Sequence, residues 1–389
     1  MPCKTWTLID TARDLFVDEL ALGPADVGQS SGSFSLRKRV LRGGLRDGIN
    51  VVEIDNGRLR ATVLCDRGMG LWRVWHGDLE IGWPSPVQGP VHPKFVPQDE
   101  ASGIGWLNGF DELLCRCGLE SNGPPEWSPD GKLKHTLHGR IANRPAHRVE
   151  ATIDGERGEL CVCGEVDEAR LFGNKLRLGS TVRTEFGSSK LTIVDEISNP
   201  WSQPAELELL YHINIGPPLA APGSRFDAPI AVAAPRDAAA IAAVDAWHDY
   251  PAARPGTTET VLYMQLAADA AGDTSVLLAE PEGKHGLSLA FNQRQFPYFA
   301  LWKNPIALSD GYCTGLEPCI NFPNVKSFEQ AQGRVAIVAP GETRRFQIEM
   351  EVHSDTESME RVRQRIAQIQ AGVEPKWFKQ PRPGWSPIV

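Results

Sequence analysis

The chain has 389 residues, a formal net charge of −9 and a hydrophobic content of 41%. The acidic balance provides no basic field that could hold a phosphate backbone, so no nucleic acid partner is predicted. The length alone would allow two or three domains, but all-β chains of more than about 200 residues often form a single unit. Eleven tryptophans are enough for a large core and leave some to line a cleft.

The cysteines and the first residues indicate a reduced, cytoplasmic protein. The chain begins Met1-Pro2-Cys3-Lys4, without the charged start and apolar stretch of a signal peptide, although it contains eight cysteines. Two C-x-C pairs, 115/117 and 161/163, lack the C-x-x-C spacing of zinc or thioredoxin-like sites, so no metal is predicted. No apolar run approaches the ~18 residues of a membrane span, and no membrane partner is predicted.

In chain order, most of the sequence consists of short segments that alternate polar and apolar residues between turns, which predicts antiparallel sheets. The first is a hairpin over residues 51–54 and 59–63, whose turn contains the favoured pair Asn56-Gly57. Further strands are predicted over residues 149–153, 175–185, 191–197, 205–213, 260–266, 275–279, 287–291, 299–303, 334–338 and 345–353. The fold class is therefore all-β, a large antiparallel β-sandwich with few short helices.

Four segments depart from this pattern. Residues 11–17 and 358–370 are predicted to be helices, the second from apolar residues near helical spacing. The Ala/Pro-rich span 220–243 is predicted to be a long loop, and residues 375–389 an extended, Pro-rich tail. The predicted organisation is an N-terminal extension with a short helix (1–34), one β-sandwich domain (35–353), and a C-terminal helix and tail (354–389).

Three short segments carry residues suited to acid–base chemistry. Strand alternation places His212 and Asn214 on the same face of the strand over residues 205–213. Glu317 stands beside Pro318 near a predicted strand end, and His138 precedes a glycine. Taken singly, such residues are more often a histidine bonded to a backbone carbonyl or a solvated glutamate. Together, one carboxylate and two histidines form an acid–base set.

The order His138-Gly139, then Tyr211-His212-Ile213-Asn214, then Leu316-Glu317-Pro318 resembles the galactose mutarotase (aldose 1-epimerase) superfamily. It is most similar to the uncharacterised, DUF4432-like branch of that superfamily, and the resemblance covers most of residues 35–353. Two features depart from the pattern of mutarotases: an aromatic pair is missing after the second histidine, and the spacing after the glutamate is altered. The resemblance implies the supersandwich fold of galactose mutarotases.

The resemblance also implies a reaction and a site. Glu317 would be the general base and His212 the general acid in the interconversion of sugar anomers, which needs no cofactor. His138 would bind the sugar, and Asn214 would project beside His212. We expect Glu317, His212 and His138 to converge in one open cleft on a concave sheet face.

Four further residues are candidate sugar contacts. Arg67 lies in a turn that resembles the Arg-Gly turn of the uncharacterised branch, and Arg116 and Arg140 lie in segments that also resemble family motifs. The alternative for Arg67 is a turn arginine that binds backbone carbonyls, and Arg140 is either structural or hydroxyl-binding. Trp302 could stack on a sugar face, although a core position is the commoner fate of a tryptophan.

Two other functions remain open at this point. The same acid–base pair could isomerise or epimerise another carbon of a modified or acidic sugar, which the arginines would suit. A non-catalytic carbohydrate sensor is the third alternative, although binding alone does not require both an acid and a base. The partner in every case is a small sugar or sugar derivative. The identity of the sugar, and the choice between monomer and homodimer, are left open by the sequence.

Overall fold

Strands make up most of the secondary structure. The computed structural model describes residues 3–28 and 32–387. The strands within these ranges are β1 (Cys3–Asp10), β2 (Leu15–Phe16), β3 (Leu20–Leu22), β4 (Ser35–Val40), β5 (Asn50–Asp55), β6 (Leu59–Leu64), β7 (Gly70–His76), β8 (Leu79–Ile81), β9 (Leu114–Leu119), β10 (Glu126–Trp127), β11 (Leu133–His135), β12 (Arg148–Asp154), β13 (Glu159–Ala169), β14 (Lys175–Glu185), β15 (Lys190–Ser198), β16 (Ala205–Ile215), β17 (Arg225–Asp227), β18 (Ile230–Pro235), β19 (Thr260–Leu266), β20 (Asp273–Ala279), β21 (Gly286–Asn292), β22 (Tyr298–Asn304), β23 (Cys313–Cys319), β24 (Ala336–Val338), β25 (Thr343–His353) and β26 (Lys376–Trp377).

Helices are few and mostly short. The α-helices of the described residues are α1 (Ala238–Ile241), α2 (Lys326–Ala331) and α3 (Thr356–Gln370). Single turns of 3-10 helix occupy Thr11–Arg13, Pro24–Val27, Gly44–Arg46, Pro93–Phe95, Gly105–Gly109, Ile141–Asn143 and Leu308–Asp310. The predicted all-β class, an antiparallel β-sandwich with few helices, is confirmed. None of the helices in the described part of the chain combines the length and the apolar composition that a bilayer span requires.

The chain divides into two compact units. The first contains the described residues of Met1–Ile81, Val87–Glu208 and Ala336–Gln347. One of its antiparallel sheets has the strand order β15-β14-β13-β12-β1-β2, and another has the order β9-β7-β6-β5-β4-β3, with β8 beside β7. The predicted hairpin is confirmed as β5 and β6, in which Ile54 pairs with Ala61. Its inward residues help to form an apolar cluster that comprises Leu41, Ile49, Val51 and Leu64.

The second unit contains Gly82–Pro86, Leu209–Val335 and the described residues of Ile348–Val389. One sheet has the order β26-β18-β19-β22-β23-β16, to which β16 contributes its residues from Leu209 onward, and another has the order β17-β20-β21-β25. Neighbouring strands in these two sheets are antiparallel except β18 and β26. Helix α3, which the sequence predicts, buries Met359 and Ile366 against Leu277 and Ala279 of β20. The predicted boundaries at residues 34 and 353 stay predictions.

Two local predictions are wrong. Residues 11–17 do not form an α-helix: a 3-10 turn capped by Asp10 reverses the chain, so that Phe16 pairs with Ile9. Residues 220–243 are not one loop, because they contain β17, β18 and α1. The predicted extended tail contains β26, which pairs with β18, and its Trp385 ring lies 4.8 Å from that of Phe322 in a buried cluster. The last two residues of the predicted tail, 388 and 389, lie outside the described residues.

Candidate active site

Neighbouring strands of the second unit bring the predicted acid and base together. In the antiparallel register of β16 and β23, Ile213 pairs with Leu316 and Asn214 with Gly315, so His212 lies opposite Glu317. The Nε2 atom of His212 is 3.2 Å from Oε1 of Glu317. Two residues that are 105 positions apart in sequence (317 minus 212) therefore form one acid–base pair.

The pair is more deeply buried than the open cleft that the sequence analysis predicts. Glu317 is 3% exposed and His212 is 5% exposed. The Oε1 atom of Glu317 accepts no hydrogen bond from the described residues, because the contact with His212 has the distance of an ion pair without the alignment of a hydrogen bond. A buried acceptor in this state costs about 1–3 kcal/mol, so the fold maintains it at the expense of stability.

The electrostatic surroundings raise the proton affinity of Glu317. Burial raises the pKa of its carboxyl well above the usual range, and the negative charge of Glu259 adds to the effect, whereas the Arg236 guanidinium opposes it. A general base works best when its pKa lies near the operating pH, which for a glutamate requires an upward shift. The direction of the shift therefore suits a base.

Asn214 holds the imidazole of His212 in one orientation. The Asn214 amide nitrogen donates to the His212 carbonyl (3.3 Å), which leaves its Oδ1 to accept from Nδ1 of His212 (2.5 Å). With one proton committed to Nδ1, the Nε2 atom faces Glu317, and the two side chains can share a second proton. When that proton is on His212, the pair holds a carboxylate base and an imidazolium acid.

A tethered tryptophan forms the next part of the site. The Trp302 ring lies 5.4 Å from that of His212, edge to face, and its Nε1 donates to Oε2 of Glu259 (2.5 Å). The other oxygen of Glu259 accepts from Arg236 (3.0 Å), which also donates to Asp237 (2.7 Å). This chain of contacts fixes the tryptophan beside the acid–base pair.

Glu259 and Arg236 are not among the site residues predicted from the sequence. Arg236 directly follows β18, which lies within the span that was predicted to be a loop. Glu259 directly precedes β19 and, by alternation, shares a face with Val261 and Tyr263. That alternation is visible in the sequence, but the pairing of Val261 with Trp302 is not.

Small residues make room for the carboxylate of Glu317. Ala300 pairs with Glu317 on one neighbouring strand, and Gly315 is two residues earlier on the same face. A Cβ atom on Gly315 would be 2.3 Å from Oε1 of Glu317 and 3.2 Å from Cε1 of His212. Real Cβ atoms do not approach other atoms so closely, so the observed position of the carboxylate requires glycine at this position.

The family model described as a domain of unknown function, DUF4432, matches residues 46–352. The chain belongs to this family. No curated protein gives a significant match. A solved structure from Klebsiella pneumoniae subsp. pneumoniae MGH 78578, provisionally named an aldose 1-epimerase, is 30% identical and has a TM-score of 0.94, with 98% of this chain and 99% of that chain covered.

More distant structures show the same fold. A galactose mutarotase-like protein from Clostridium acetobutylicum has a TM-score of 0.58 at 13% identity, with 83% of this chain and 99% of that chain covered. A galactose mutarotase-related enzyme from Lactobacillus acidophilus has a TM-score of 0.52 at 13% identity, with 79% and 98% covered. The membership in the galactose mutarotase superfamily that the sequence resemblance implies is confirmed.

Two of the predicted sugar-binding arginines of this DUF4432 protein are structural in their contacts. Arg67 is 1% exposed and donates to Glu112 (2.5 Å), to Asn143 (2.7 Å) and to two backbone carbonyls. Arg116 is equally buried and is paired with the buried Asp195, with further bonds to a serine and two carbonyls. These contacts favour the structural alternative, and neither arginine enters the function proposed below.

Arg140 and His138 also lie in the first unit. Arg140 makes a two-point contact with Asp99, at 2.7 and 3.1 Å, and stays partly exposed. His138 has a positive φ of 56° and donates from Nδ1 to the Asn122 carbonyl (2.8 Å), because a carbonyl can only accept. Its Nε2 therefore accepts a proton when the ring is neutral and donates one only when the ring is charged. Convergence of His138 with the acid–base pair stays a prediction.

Among the residues that the structure describes, no cluster of three or more His, Cys, Asp and Glu side chains has the geometry to hold a metal ion. The eight cysteines are free thiols.

Proposed function

We propose that this DUF4432 protein is a carbohydrate isomerase of the aldose 1-epimerase type, which interconverts the anomers of a small sugar. The observation that carries the proposal is the Glu317–His212 pair: a buried carboxylate with an unbonded oxygen, 3.2 Å from an imidazole nitrogen. A protein that only binds has no need of this arrangement, because an unsatisfied buried carboxylate lowers stability, whereas a general base uses that oxygen to accept a proton.

The two groups perform complementary proton transfers. The Glu317 carboxylate removes the proton from the C1 hydroxyl while His212 Nε2–H protonates the ring oxygen, and the C1–O bond of the ring breaks to give the open-chain aldehyde. Rotation about the C1–C2 bond presents the other face of the carbonyl. The ring hydroxyl then attacks C1, returns its proton to His212, and the new C1 oxygen takes the proton held by Glu317.

The pair ends this cycle with the protons it had at the start, so no net exchange with solvent is needed. General acid and general base assistance each contribute roughly 10²–10⁴-fold to such a reaction. Asn214 keeps Nδ1 of His212 occupied, which directs the transferable proton to Nε2. Trp302, which Glu259 tethers, offers an aromatic surface for a sugar ring.

The test is anomer exchange measured by NMR saturation transfer and polarimetry across a panel of neutral, amino and acidic sugars. We expect at least one sugar to be equilibrated faster than in buffer, and Glu317→Gln to remove this activity while it preserves binding. The matched control is Glu282→Gln, which replaces a 69% exposed carboxylate of the same unit. Full activity of Glu317→Gln on the best sugar would show that the assigned base is wrong.

The same measurements in D₂O separate the alternatives. Anomer exchange leaves every C–H bond intact, whereas epimerisation or isomerisation at C2 or another carbon incorporates deuterium there. Deuterium incorporation that depends on Glu317 would therefore identify the second candidate reaction. If a sugar binds but no sugar is converted, the sensor function replaces the enzyme.

A further inference from the structure

A second group of reactive side chains lies in the first unit, on the sheet that contains β12, β13 and β14. Strand β13 alternates regularly between buried and half-buried residues. Leu160 and Val162 point into the core, and Cys161 and Cys163 lie together on the half-buried face. The C-x-C spacing, which matches no zinc motif, thus places two thiols side by side on a strand.

The two thiols are in contact with each other. The Sγ atoms of Cys161 and Cys163 are 3.4 Å apart, and Sγ of Cys163 is also 3.4 Å from Oγ1 of Thr181 on β14. The hydrogen bond from Cys161 lowers the pKa of the Cys163 thiol to about 7, although burial opposes this. The same bond, together with burial, raises the pKa of the Cys161 thiol. The pair consequently favours a thiolate on Cys163 and a thiol on Cys161.

Neighbouring charges are mixed in sign. Glu150 on β12 and Glu159 on β13 raise the pKa of Cys163, and Arg183 on β14 lowers that of Cys161. The thiolate therefore depends mainly on its contacts with Cys161 and Thr181, both of which are hydroxyl or thiol donors.

Cys163 is accessible from a cavity of about 170 Å³, which it lines together with Arg148 and Thr181. The space exists partly because another lining residue, Gly179, has no side chain. One water occupies about 30 Å³ in the liquid, so the cavity admits a small hydroperoxide.

We propose that Cys161 and Cys163 form a site that hydroperoxides oxidise, in which the two thiols are converted reversibly to an intrastrand disulfide. The Cys163 thiolate attacks the terminal peroxide oxygen and the O–O bond breaks. The leaving alkoxide or hydroxide takes one proton from solvent and departs as the alcohol or water. This step oxidises the sulfur by two electrons to a sulfenic acid. The Cys161 sulfur then attacks Cys163, an S–S bond forms, and the sulfenic oxygen leaves as water with the Cys161 proton.

The strand makes such a disulfide easy to reduce again. Residues i and i+2 of a strand are separated by two rises of about 3.3–3.4 Å, or roughly 6.7 Å. That separation is at the upper end of the range of about 4.4–6.8 Å between the Cα atoms of a disulfide. Disulfides at the limits of this geometry are strained and labile, which is typical of regulatory ones.

The experiment uses the full-length protein, hydrogen peroxide, alkylation of residual thiols and tryptic mass spectrometry. Cleavage after Arg157 and Arg170 yields one peptide, residues 158–170, that contains both cysteines and no others. We expect this peptide to lose two hydrogens and both alkylation sites, and to recover them with dithiothreitol. In Cys161→Ser, Cys163 should instead accumulate as a sulfenic acid that dimedone traps. In Cys163→Ser, oxidation of Cys161 should be at least ~10-fold slower, because no stabilised thiolate remains.

The chain contains a matched control. Cys115 and Cys117 have the same C-x-C spacing but are 1% and 0% exposed, and Arg116 places them on separate tryptic peptides. Cys115 and Cys117 should stay reduced at a peroxide dose that oxidises Cys161 and Cys163 to the disulfide. The proposal fails if residues 158–170 keep both thiols while the exposed Cys3 is oxidised, or if Cys115 and Cys117 oxidise as fast. It also fails if wild-type Cys163 is trapped as a sulfenic acid with Cys161 unreacted.

Discussion

The sharpest test of the acid–base geometry is the addition of one methyl group. In Gly315→Ala the new Cβ would be 2.3 Å from Oε1 and 3.1 Å from Cδ of Glu317. Normal contact distances between such atoms are about 3.4–4 Å, so the carboxylate must move by roughly 1 Å. The same methyl group would be 3.2 Å from Cε1 of His212, which blocks relaxation toward the imidazole.

The expected loss of activity follows from this displacement. A misplacement of about 1 Å costs on the order of 10²-fold in rate, since proton transfer needs the base within hydrogen-bond reach. Overpacking of a buried site costs about 1–3 kcal/mol of stability in addition. We therefore expect kcat/KM for anomer exchange to fall about 100-fold in Gly315→Ala, with a moderate decrease in Tm, both measured on the same preparation.

The control separates overpacking from displacement of the base. Gly286→Ala, in the same unit, would place a Cβ 2.7 Å from Sδ of Met359 and 3.0 Å from the Leu278 carbonyl. It should lower Tm by a similar amount and leave kcat/KM within a few fold, because these neighbours belong to the packing of α3 on β20. Retention of full activity by a folded Gly315→Ala protein would refute the assigned position of the base, as would an equal loss of activity in Gly286→Ala.

Three further predictions use the charges of the protein. Folding raises the pKa of Glu317, so the folded protein keeps a proton that the unfolded chain loses above about pH 4.3. Between about pH 4.3 and the pKa of Glu317 in the folded protein, the free energy of unfolding therefore falls by about 1.4 kcal/mol per pH unit. Glu317→Gln removes this loss, so its free energy of unfolding in urea should exceed that of wild type at pH 8 and equal it at pH 4. A difference of the same size at both pH values would contradict the raised pKa. Glu259→Gln keeps an acceptor for Trp302 but removes a negative charge that, in addition to burial, raises the pKa of Glu317. The rise of activity with pH, which requires ionised Glu317, should therefore move to lower pH. An unchanged pH profile would show that Glu259 does not influence the pKa of Glu317. Arg116→Met removes the cation that pairs with the buried Asp195 and should lower the free energy of unfolding in urea by about 3–5 kcal/mol, without a change in the KM of the folded fraction. Arg148→Met, at an exposed pair, should cost at most about 1 kcal/mol. An increase in KM alone for Arg116→Met would restore its predicted role in sugar binding.

Strands with one buried face and one partly exposed face could be predicted from the alternation of polar and apolar residues. Strand β14 occupies the predicted residues 175–185, and β15 extends the predicted residues 191–197 by one residue at each end. Strand β18 could not be found in this way, because its buried residues include Ala233 and Ala234 and it ends in Pro235, so hydrophobic contrast is weak. The predicted N-terminal helix failed for another reason: pairing of Ile9 with Phe16 outweighs the modest helix propensity of the segment.

The candidate site was predictable to the extent that it is local. His212 and Asn214 are two positions apart on one strand, and strand periodicity alone places their side chains together. Their partner Glu317 came from the family resemblance, since no local pattern reports which strands are neighbours. Glu259 contacts the site through its hydrogen bond with Trp302 of β22. Only the strand order β19-β22-β23-β16 shows that Glu259, next to β19, lies near β22. The sugar-binding role of Arg67 stays a prediction, and the turn motif on which it rests does not show that the guanidinium is buried against Glu112.

The burial of Glu317 presents an apparent contradiction that its neighbour resolves. A carboxyl with a raised pKa tends to hold its proton, and a protonated carboxyl cannot act as a base. His212 Nε2, 3.2 Å away, can take that proton, and the transfer creates the carboxylate and the imidazolium in the same step. The base therefore exists only together with the acid that the reaction requires at the ring oxygen. Because Asn214 already occupies Nδ1, the proton has one position on the imidazole from which to leave, and this position faces the carboxylate. Burial, which would disable a solitary glutamate, thus couples the two proton transfers of ring opening to each other.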